Sequence, residues 1–167
     1  GSGSDSFLAK YSNEGIVGWA AKQAGINFES AYGVVTDSNN NIYISGFYKF
    51  NTGISFYDQG DNDNAIITLP NSGNSDSFLA KYSSAGNVIW ATKQGGTFFD
   101  DGKAVGTDSA NNIYITGDYR DSAISFYNQG DNDNPVFTLL SIGDSDNDIY
   151  TAKYNSEGKF IWAAVFS

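Results

Sequence analysis

The sequence has no cysteine, no histidine and no methionine among its 167 residues. Without cysteine there can be no disulfide framework, and without cysteine and histidine the usual zinc ligand sets are excluded. A Ser-His-Asp triad and a cysteine nucleophile are excluded for the same reason. Paired carboxylates could still catalyse hydrolysis, but the acidic residues fall in polar turns where nothing would raise a pKa. We therefore predict that the chain is not an enzyme.

Basic residues are also scarce, because nine Lys and Arg stand against 19 Asp and Glu and give a net charge of −10. Such a chain repels phosphate backbones and anionic lipid headgroups, so nucleic acid and membrane surfaces are poor partners, whereas cations remain possible ligands. No apolar run approaches the roughly 18 residues of a membrane-spanning helix, and we expect no membrane insertion. The 19 glycines, 12 Phe and 11 Tyr are typical of short strands joined by tight turns.

A tandem repeat is the strongest feature of the sequence. The segment DSFLAKY begins at Asp5 and recurs 71 residues later at Asp76, and a weaker copy, DIYTAKY, begins at Asp148. A period of this length indicates a repeat architecture in which each repeat is one supersecondary unit. The methionine-free start favours an excised or processed piece, in which residues 1–4 are a linker or an expression scar.

Each repeat contains short strands separated by turn signals. In the second copy the apolar and β-branched segments predict strands near residues 78–82, 87–94, 103–107 and 113–119. No window shows a sustained 3.6-residue apolar period, so no helix is predicted. Two further apolar segments flank an Asp/Asn/Gly loop and predict an extra hairpin in each copy, over residues 54–69 and 124–140.

Four strands and an inserted hairpin per repeat fit a four-stranded antiparallel β-propeller blade. A β-solenoid-like repeat array is the alternative, although 71 residues far exceed one coil of such a helix. The segments AVGTDSANNIYITGDY and DIYTAKYNSEGKFIWAA resemble the bacterial β-propeller repeat family, often labelled SBBP. The resemblance implies that the DSFLAKY hairpin forms the two outer strands of a blade and the AVGTD/IYITG hairpin the two inner ones. It also implies a secreted or cell-surface bacterial protein without enzymatic activity.

The strand count predicts about two and a half blades per chain. Residues 5–25 would form an outer hairpin, residues 26–96 the first blade and residues 97–167 the second. Because closed propellers need about four to eight blades, residues 5–25 should expose an unpaired strand edge that invites pairing. We therefore expect completion by other repeats of a longer chain, or by copies of this chain in a homo-oligomeric ring or filament.

Acidic loops are candidate calcium sites, because hard cations take several oxygens from one short loop. The segment 144–148 resembles the start of a DxDxDG loop, but Ile149 replaces the glycine and no acidic residue closes the loop. A solvated turn is the alternative interpretation. The candidate ligands are Asp61, Asp63, Asp131, Asp133, Asp144, Asp146 and Asp148.

Aromatic and charged residues recur once per repeat. Tyr57 and Tyr127, beside the polar loops, are candidates for stacking on a glycan ring. The tryptophans of the outer hairpins are predicted to pack between blades, with sugar stacking as the alternative; they are Trp19, Trp90 and Trp162. The recurring lysines are predicted to be structural, with the stem packed along the strand and the ammonium in water or paired with an Asp; they are Lys10, Lys81 and Lys153. Asp37 and Asp108 are predicted to cap their own turns.

Three functions are compatible with these features. The first is a structural or scaffold module of a bacterial surface or secreted protein, completed by self-assembly or adjoining repeats. The second is a carbohydrate- or calcium-dependent adhesion module. The third, an acid-based hydrolase, has the least support, because no acidic residue lies in an environment suited to catalysis.

Overall fold

The chain folds entirely into β-strands and connecting turns. The computed structural model describes residues 3–50, 53–120, 123–142 and 147–166. In these ranges no helix occurs, and so none that is long and apolar enough to cross a membrane. The strands are β1 (Ser6–Tyr11), β2 (Val17–Ala24), β3 (Glu29–Thr36), β4 (Ile42–Lys49), β5 (Ile54–Phe56), β6 (Ile67–Leu69), β7 (Ser75–Tyr82), β8 (Val88–Gly95), β9 (Asp100–Thr107), β10 (Ile113–Tyr119), β11 (Ala123–Phe126), β12 (Phe137–Leu140), β13 (Asp148–Tyr154) and β14 (Phe160–Phe166).

The strands form three antiparallel sheets with the order expected of propeller blades. The first blade contains β3, β4, β7 and β8 in that order, and the second contains β9, β10, β13 and β14. The N-terminal hairpin β1–β2 corresponds to the outer pair of a blade, β7–β8 or β13–β14. Strands β3 and β9 of the two blades contact each other, as the innermost strands of neighbouring blades do. The protein is thus an all-β protein of β-propeller-type blades.

The inserted hairpins do not extend the blade whose strands flank them in the sequence. Hairpin β5–β6 lies between the inner and outer pairs of the first blade, yet β5 pairs with β2 of the N-terminal hairpin. Hairpin β11–β12 lies within the second blade's sequence, and β11 pairs with β8 of the first blade. Each of these two sheets therefore takes strands from two consecutive repeats.

Apolar side chains fill the two spaces between consecutive sheets. Ile44, Phe56 and Phe78 belong to the cluster between the N-terminal hairpin and the first blade. Leu79 and Ile115 belong to the cluster between the two blades. Strands β4 and β7 are buried along nearly their whole length, because each lies in the middle of a sheet covered on both faces. This accounts for segments such as IYIS that are apolar on both sides.

The turns of the inner pairs have the predicted Asx caps. The carboxylate of Asp37 accepts hydrogen bonds from the backbone N–H groups of Asn39 and Asn41 at 2.9 and 2.8 Å. Asp108 accepts the equivalent bonds from Ala110 and Asn112. These caps close the tight turns that hold β3 against β4 and β9 against β10.

Candidate functional site

Two side-chain donors of the N-terminal hairpin meet at one backbone carbonyl of the first blade. The indole Nε1 of Trp19 and the ammonium of Lys10 both donate hydrogen bonds to the carbonyl oxygen of Ser84, at 3.3 and 3.2 Å. Ser84 lies in the turn between β7 and β8. Two donors from one sheet therefore form hydrogen bonds to the outer turn of the next sheet.

The contact between the first and second blades repeats this arrangement. The indole of Trp90 and the ammonium of Lys81 donate to the carbonyl oxygen of Ser156, at 3.1 and 2.9 Å. Ser156 lies in the turn between β13 and β14. The Lys81 ammonium also lies 5.2 Å from the centre of the Tyr43 ring, and burial lowers its pKa. The prediction that the tryptophans pack between blades is confirmed at both contacts. The ammonium groups of Lys10 and Lys81 bond to a backbone carbonyl of the neighbouring sheet, where water or an Asp was predicted.

A glycine in each outer turn makes the close approach possible. Gly86 has a φ of 86°, and a Cβ added there would lie 2.7 Å from the Trp19 ring and 2.8 Å from Gln59. Gly158 lies in the same way between Trp90 and Gln129. The glutamines come from the loops of the inserted hairpins, and their backbone N–H groups bond to the carbonyls of these glycines. We call the tryptophan, lysine, turn and hairpin loop together the inter-blade contact.

At the two ends of the described chain, the equivalent tryptophan and the equivalent outer turn have fewer neighbours. Trp162 of the second blade is 40% exposed, whereas its equivalent Trp90 is 3% exposed. At the other end, a Cβ on Gly15 would have no described atom within 4 Å, although its equivalents Gly86 and Gly158 are enclosed. The tryptophan of the second blade and the outer turn of the N-terminal hairpin are thus more open than their equivalents in the two inter-blade contacts.

The two inserted loops satisfy their own first carboxylates. Asp61 accepts hydrogen bonds from the backbone N–H groups of Asp63 and Asn64, which hold its pKa below the usual range. Asp131 accepts the equivalent bonds from Asp133 and Asn134, and its pKa is also lowered. This is the behaviour of a capped solvated loop.

Of the remaining calcium candidates, the structure describes Asp148. Asp148 is buried at the start of β13 and accepts a hydrogen bond from the backbone N–H of Ile142. Asp144 and Asp146 lie outside the described residues. Within residues 3–50, 53–120, 123–142 and 147–166, no three acidic side chains are arranged to hold a metal ion. Calcium binding stays a prediction from the sequence.

The two candidate glycan-stacking tyrosines have a lysine over each ring. The ammonium of Lys22 lies 4.4 Å from the centre of the half-buried Tyr57 ring. The ammonium of Lys93 lies 4.7 Å from the ring of Tyr127, which is buried. The two lysines lie in β2 and β8, the outer strands with which β5 and β11 pair, and glycan binding likewise stays a prediction.

Buried carboxylates lie where the inserted hairpins cross from one repeat to the next, and they were not predicted as a site. Asp76 and Asp100 are fully buried, and within the described structure one oxygen of each has no hydrogen-bond partner. Burial raises the pKa of Asp100 to about 8 although the N–H of Gly96 bonds to it, and the nearby charge of Asp76 raises it further. The recurrence of Asp5 and Asp76 before the same apolar strand was the only signal in the sequence.

Replacing Asp100 by asparagine is expected to stabilise the protein at neutral and mildly alkaline pH. The pKa of Asp100 rises on folding, so the unfolded chain ionises first, and stability contributed by this group falls from about pH 4 to about pH 8. Asparagine stays neutral and keeps the acceptor for Gly96. The variant and parent should therefore unfold alike near pH 4 and differ by at least about 2 kcal/mol near pH 8.

Urea unfolding of both proteins across this pH range measures the difference. Asp101→Asn is the matched control, because the neighbouring Asp101 is half-buried, whereas Asp100 is fully buried. A constant difference between D100N and the parent at all pH values would contradict the assignment.

The comparisons with known proteins agree with the propeller-type fold. No family model matches the chain. The chain is 30% identical over 122 residues to an uncharacterized WD repeat-containing protein of Acanthamoeba polyphaga mimivirus. The aligned part covers 66% of this chain and 8% of that protein. The likeness therefore concerns the repeat and spans a small part of the relative.

Proposed function

We propose that the protein is a scaffold module of β-propeller repeats whose function is to stack blade on blade with further repeats. The observation that carries this proposal is the exposed Trp162, which repeats the buried Trp90 at the end of the second blade. Because Trp90 and Lys81 meet the turn of a following outer hairpin, Trp162 and Lys153 are suited to meet another such turn. The turn around Gly15 provides one in a second copy.

The bacterial propeller-repeat family is the proposed affiliation, and the cell surface or the extracellular space the proposed location. The support is the resemblance of the AVGTDSANNIYITGDY and DIYTAKYNSEGKFIWAA segments to that family. A scaffold of this kind needs no cofactor, and we propose no catalytic step. Its partners are other repeats, supplied by adjoining sequence or by further copies that stack head to tail.

Replacing Trp162 by alanine is expected to weaken head-to-tail association of the chain. Multi-angle light scattering over a range of micromolar concentrations should show mass rising above 18.0 kDa for the parent and rising only at higher concentrations for W162A. Burial of an indole at such a contact contributes about 2–3 kcal/mol, so the variant should need at least about tenfold more protein to associate.

Ile161→Ala is the matched control for this experiment. Ile161 lies next to Trp162 in β14, where the register with β13 shifts. The equivalent residue of the first blade, Ile89, is 47% exposed although the second blade packs against the first. The control should therefore associate like the parent. A parent chain that stays monomeric, and gains no stability when a further repeat is appended after residue 167, would contradict the scaffold function.

A further inference from the structure

A groove follows the edge of β1 that faces away from β2. Strand β1 ends its sheet, and in the described part of the chain no strand pairs with this edge. Between β1 and the innermost strand of the first blade lie three adjoining cavities of about 310, 290 and 180 Å³. Leu8 and Ala9 line one wall, and Ala31, Tyr32 and Val34 line the other. The groove therefore runs along β1 and carries unpaired backbone groups on one side.

The first blade contains a strand with the same sequence as β1, and there the equivalent edge is paired. The seven residues from Asp5 to Tyr11 are identical in sequence to those from Asp76 to Tyr82. In the first blade, the edge of β7 that corresponds to the groove edge of β1 pairs with β4 in a regular register, from Ile42 opposite Tyr82 to Lys49 opposite Ser75. The same residues in β1 thus present the same backbone and side-chain pattern to the groove.

Two side chains of β1 are far more exposed than their equivalents in β7. Phe78 is fully buried, whereas the equivalent Phe7 is 70% exposed. Tyr82 is fully buried and Tyr11 is 55% exposed. In the first blade, Phe78 lies against Gly46 of β4, close enough that a Cβ on Gly46 would be 2.9 Å from the ring. A strand entering the groove in the same register would therefore bring a glycine over Phe7.

We propose that the β1 edge binds the inner hairpin of a further repeat by strand addition, in the register that β4 adopts on β7. The inference deepens the scaffold function and rests on it only for the nature of the partner, which is a repeat of the same type. Main-chain hydrogen bonds supply affinity in strand addition, and the alternate side chains supply specificity.

The occupant is a hairpin that is unpaired in its own protein, and not one taken from a folded second copy. The described strands form three outer pairs but two inner pairs, and both inner pairs already bond to β7 and β13. Stacking of whole copies through Trp162 would therefore leave the groove open. A further repeat that contributes its inner pair would fill it.

The sequence of β4 indicates which residues the bound strand needs. The bound strand is apolar on both faces, like the segment Ile42, Tyr43 and Ile44 of β4, because the groove has apolar walls. It has glycine opposite Phe7, where a side chain would strike the ring. It ends in a basic residue, as β4 does at Lys49, because Asp5 and Glu29 line that end of the groove.

A peptide of residues 29–49, added to the intact chain, tests the proposal. Amide hydrogen exchange of Ser6–Tyr11 should slow in its presence, and titration should be saturable. The F7A variant should bind the peptide about tenfold more weakly, because it lacks the ring that would pack against the glycine of the peptide. Val136→Ala is the matched control, since Val136 is an exposed residue beside the distant hairpin β11–β12 and should not change binding.

A second peptide and a second protein keep the test decisive. The Gly46→Val peptide should not bind, because its side chain would strike both Phe7 and the opposite strand of the hairpin. A chain with residues 26–75 duplicated ahead of Asp5 reproduces the native repeat spacing and should protect Ser6–Tyr11 permanently. Equal binding of both peptides, or unprotected β1 amides in the extended chain, would overturn the proposal. These readouts need no self-association, so they can succeed or fail independently of the light-scattering experiment.

Discussion

Replacing Gly46 by alanine is expected to destabilise the protein by more than about 4 kcal/mol, enough to prevent stable folding of a domain of this size. A Cβ at this position would overlap the backbone carbonyl of Ser30 and lie 2.9 Å from Cα of Ala31. The site coincides with the register shift between β3 and β4 at residues 31–33. Neither neighbour is the flexible end of a side chain, so relief would require moving the inner hairpin.

Gly117 is the equivalent position in the second blade, and G117A should behave like G46A. Its Cβ would overlap the carbonyl of Asp101 and lie 3.0 Å from the Tyr150 ring, again at a register shift. Gly106→Ala is the matched control, because a Cβ at Gly106 in β9 would have no described atom within 4 Å. That change should leave stability within about 0.5 kcal/mol of the parent or raise it slightly.

Urea unfolding followed by far-UV circular dichroism measures these glycine substitutions. The G46A and G117A proteins should show strongly reduced midpoints or no cooperative transition, whereas G106A should match the parent. A G46A midpoint equal to that of the parent would show that the inner hairpin can shift by more than the packing of β4 between β3 and β7 suggests.

Repetition and strand patterning made the blades predictable from the sequence. The recurrence of DSFLAKY and the two-sided apolar character of IYISG fix which strands lie in the middle of a sheet, because only a strand covered on both faces can bury both sets of side chains. The Asx caps at Asp37 and Asp108 and the inter-blade role of Trp90 follow from local chemistry of the same kind.

The docking of the inserted hairpins could not be predicted in the same way. Strand β11 is held on β8 through pairs at Ser125–Gly95 and Phe126–Gln94, which are mainly backbone contacts. Such pairing carries little information about which sheet edge is chosen. The burial of Asp100 could not be predicted either, because it depends on how the second blade packs and on the loop that precedes β9.

Replacing Trp90 by alanine is expected to lower the free energy of unfolding by about 3–5 kcal/mol. Trp90 is buried between the blades, its ring lies 5.9 Å from that of Tyr43, and its indole N–H bonds to the carbonyl of Ser156. Truncation removes apolar burial, the ring pair and the donor together. It also leaves a cavity beside Gly158, which packs against the indole.

Trp162→Ala makes the same chemical change at the equivalent position of the last blade, where 40% of the side chain is exposed. Its ring lies 6.2 Å from that of Tyr114. In dilute monomer the loss should stay near 1 kcal/mol, because less surface is buried and no further turn covers the ring. Unfolding of both variants in urea, followed by circular dichroism at low micromolar concentration, gives the two values. A W90A protein no less stable than W162A would show that tryptophan at the inter-blade contact does not hold neighbouring blades together. At high protein concentration another copy should cover Trp162 of the parent, and the stability loss caused by W162A should then approach the loss caused by W90A. Such convergence would show that both tryptophans serve the same contact.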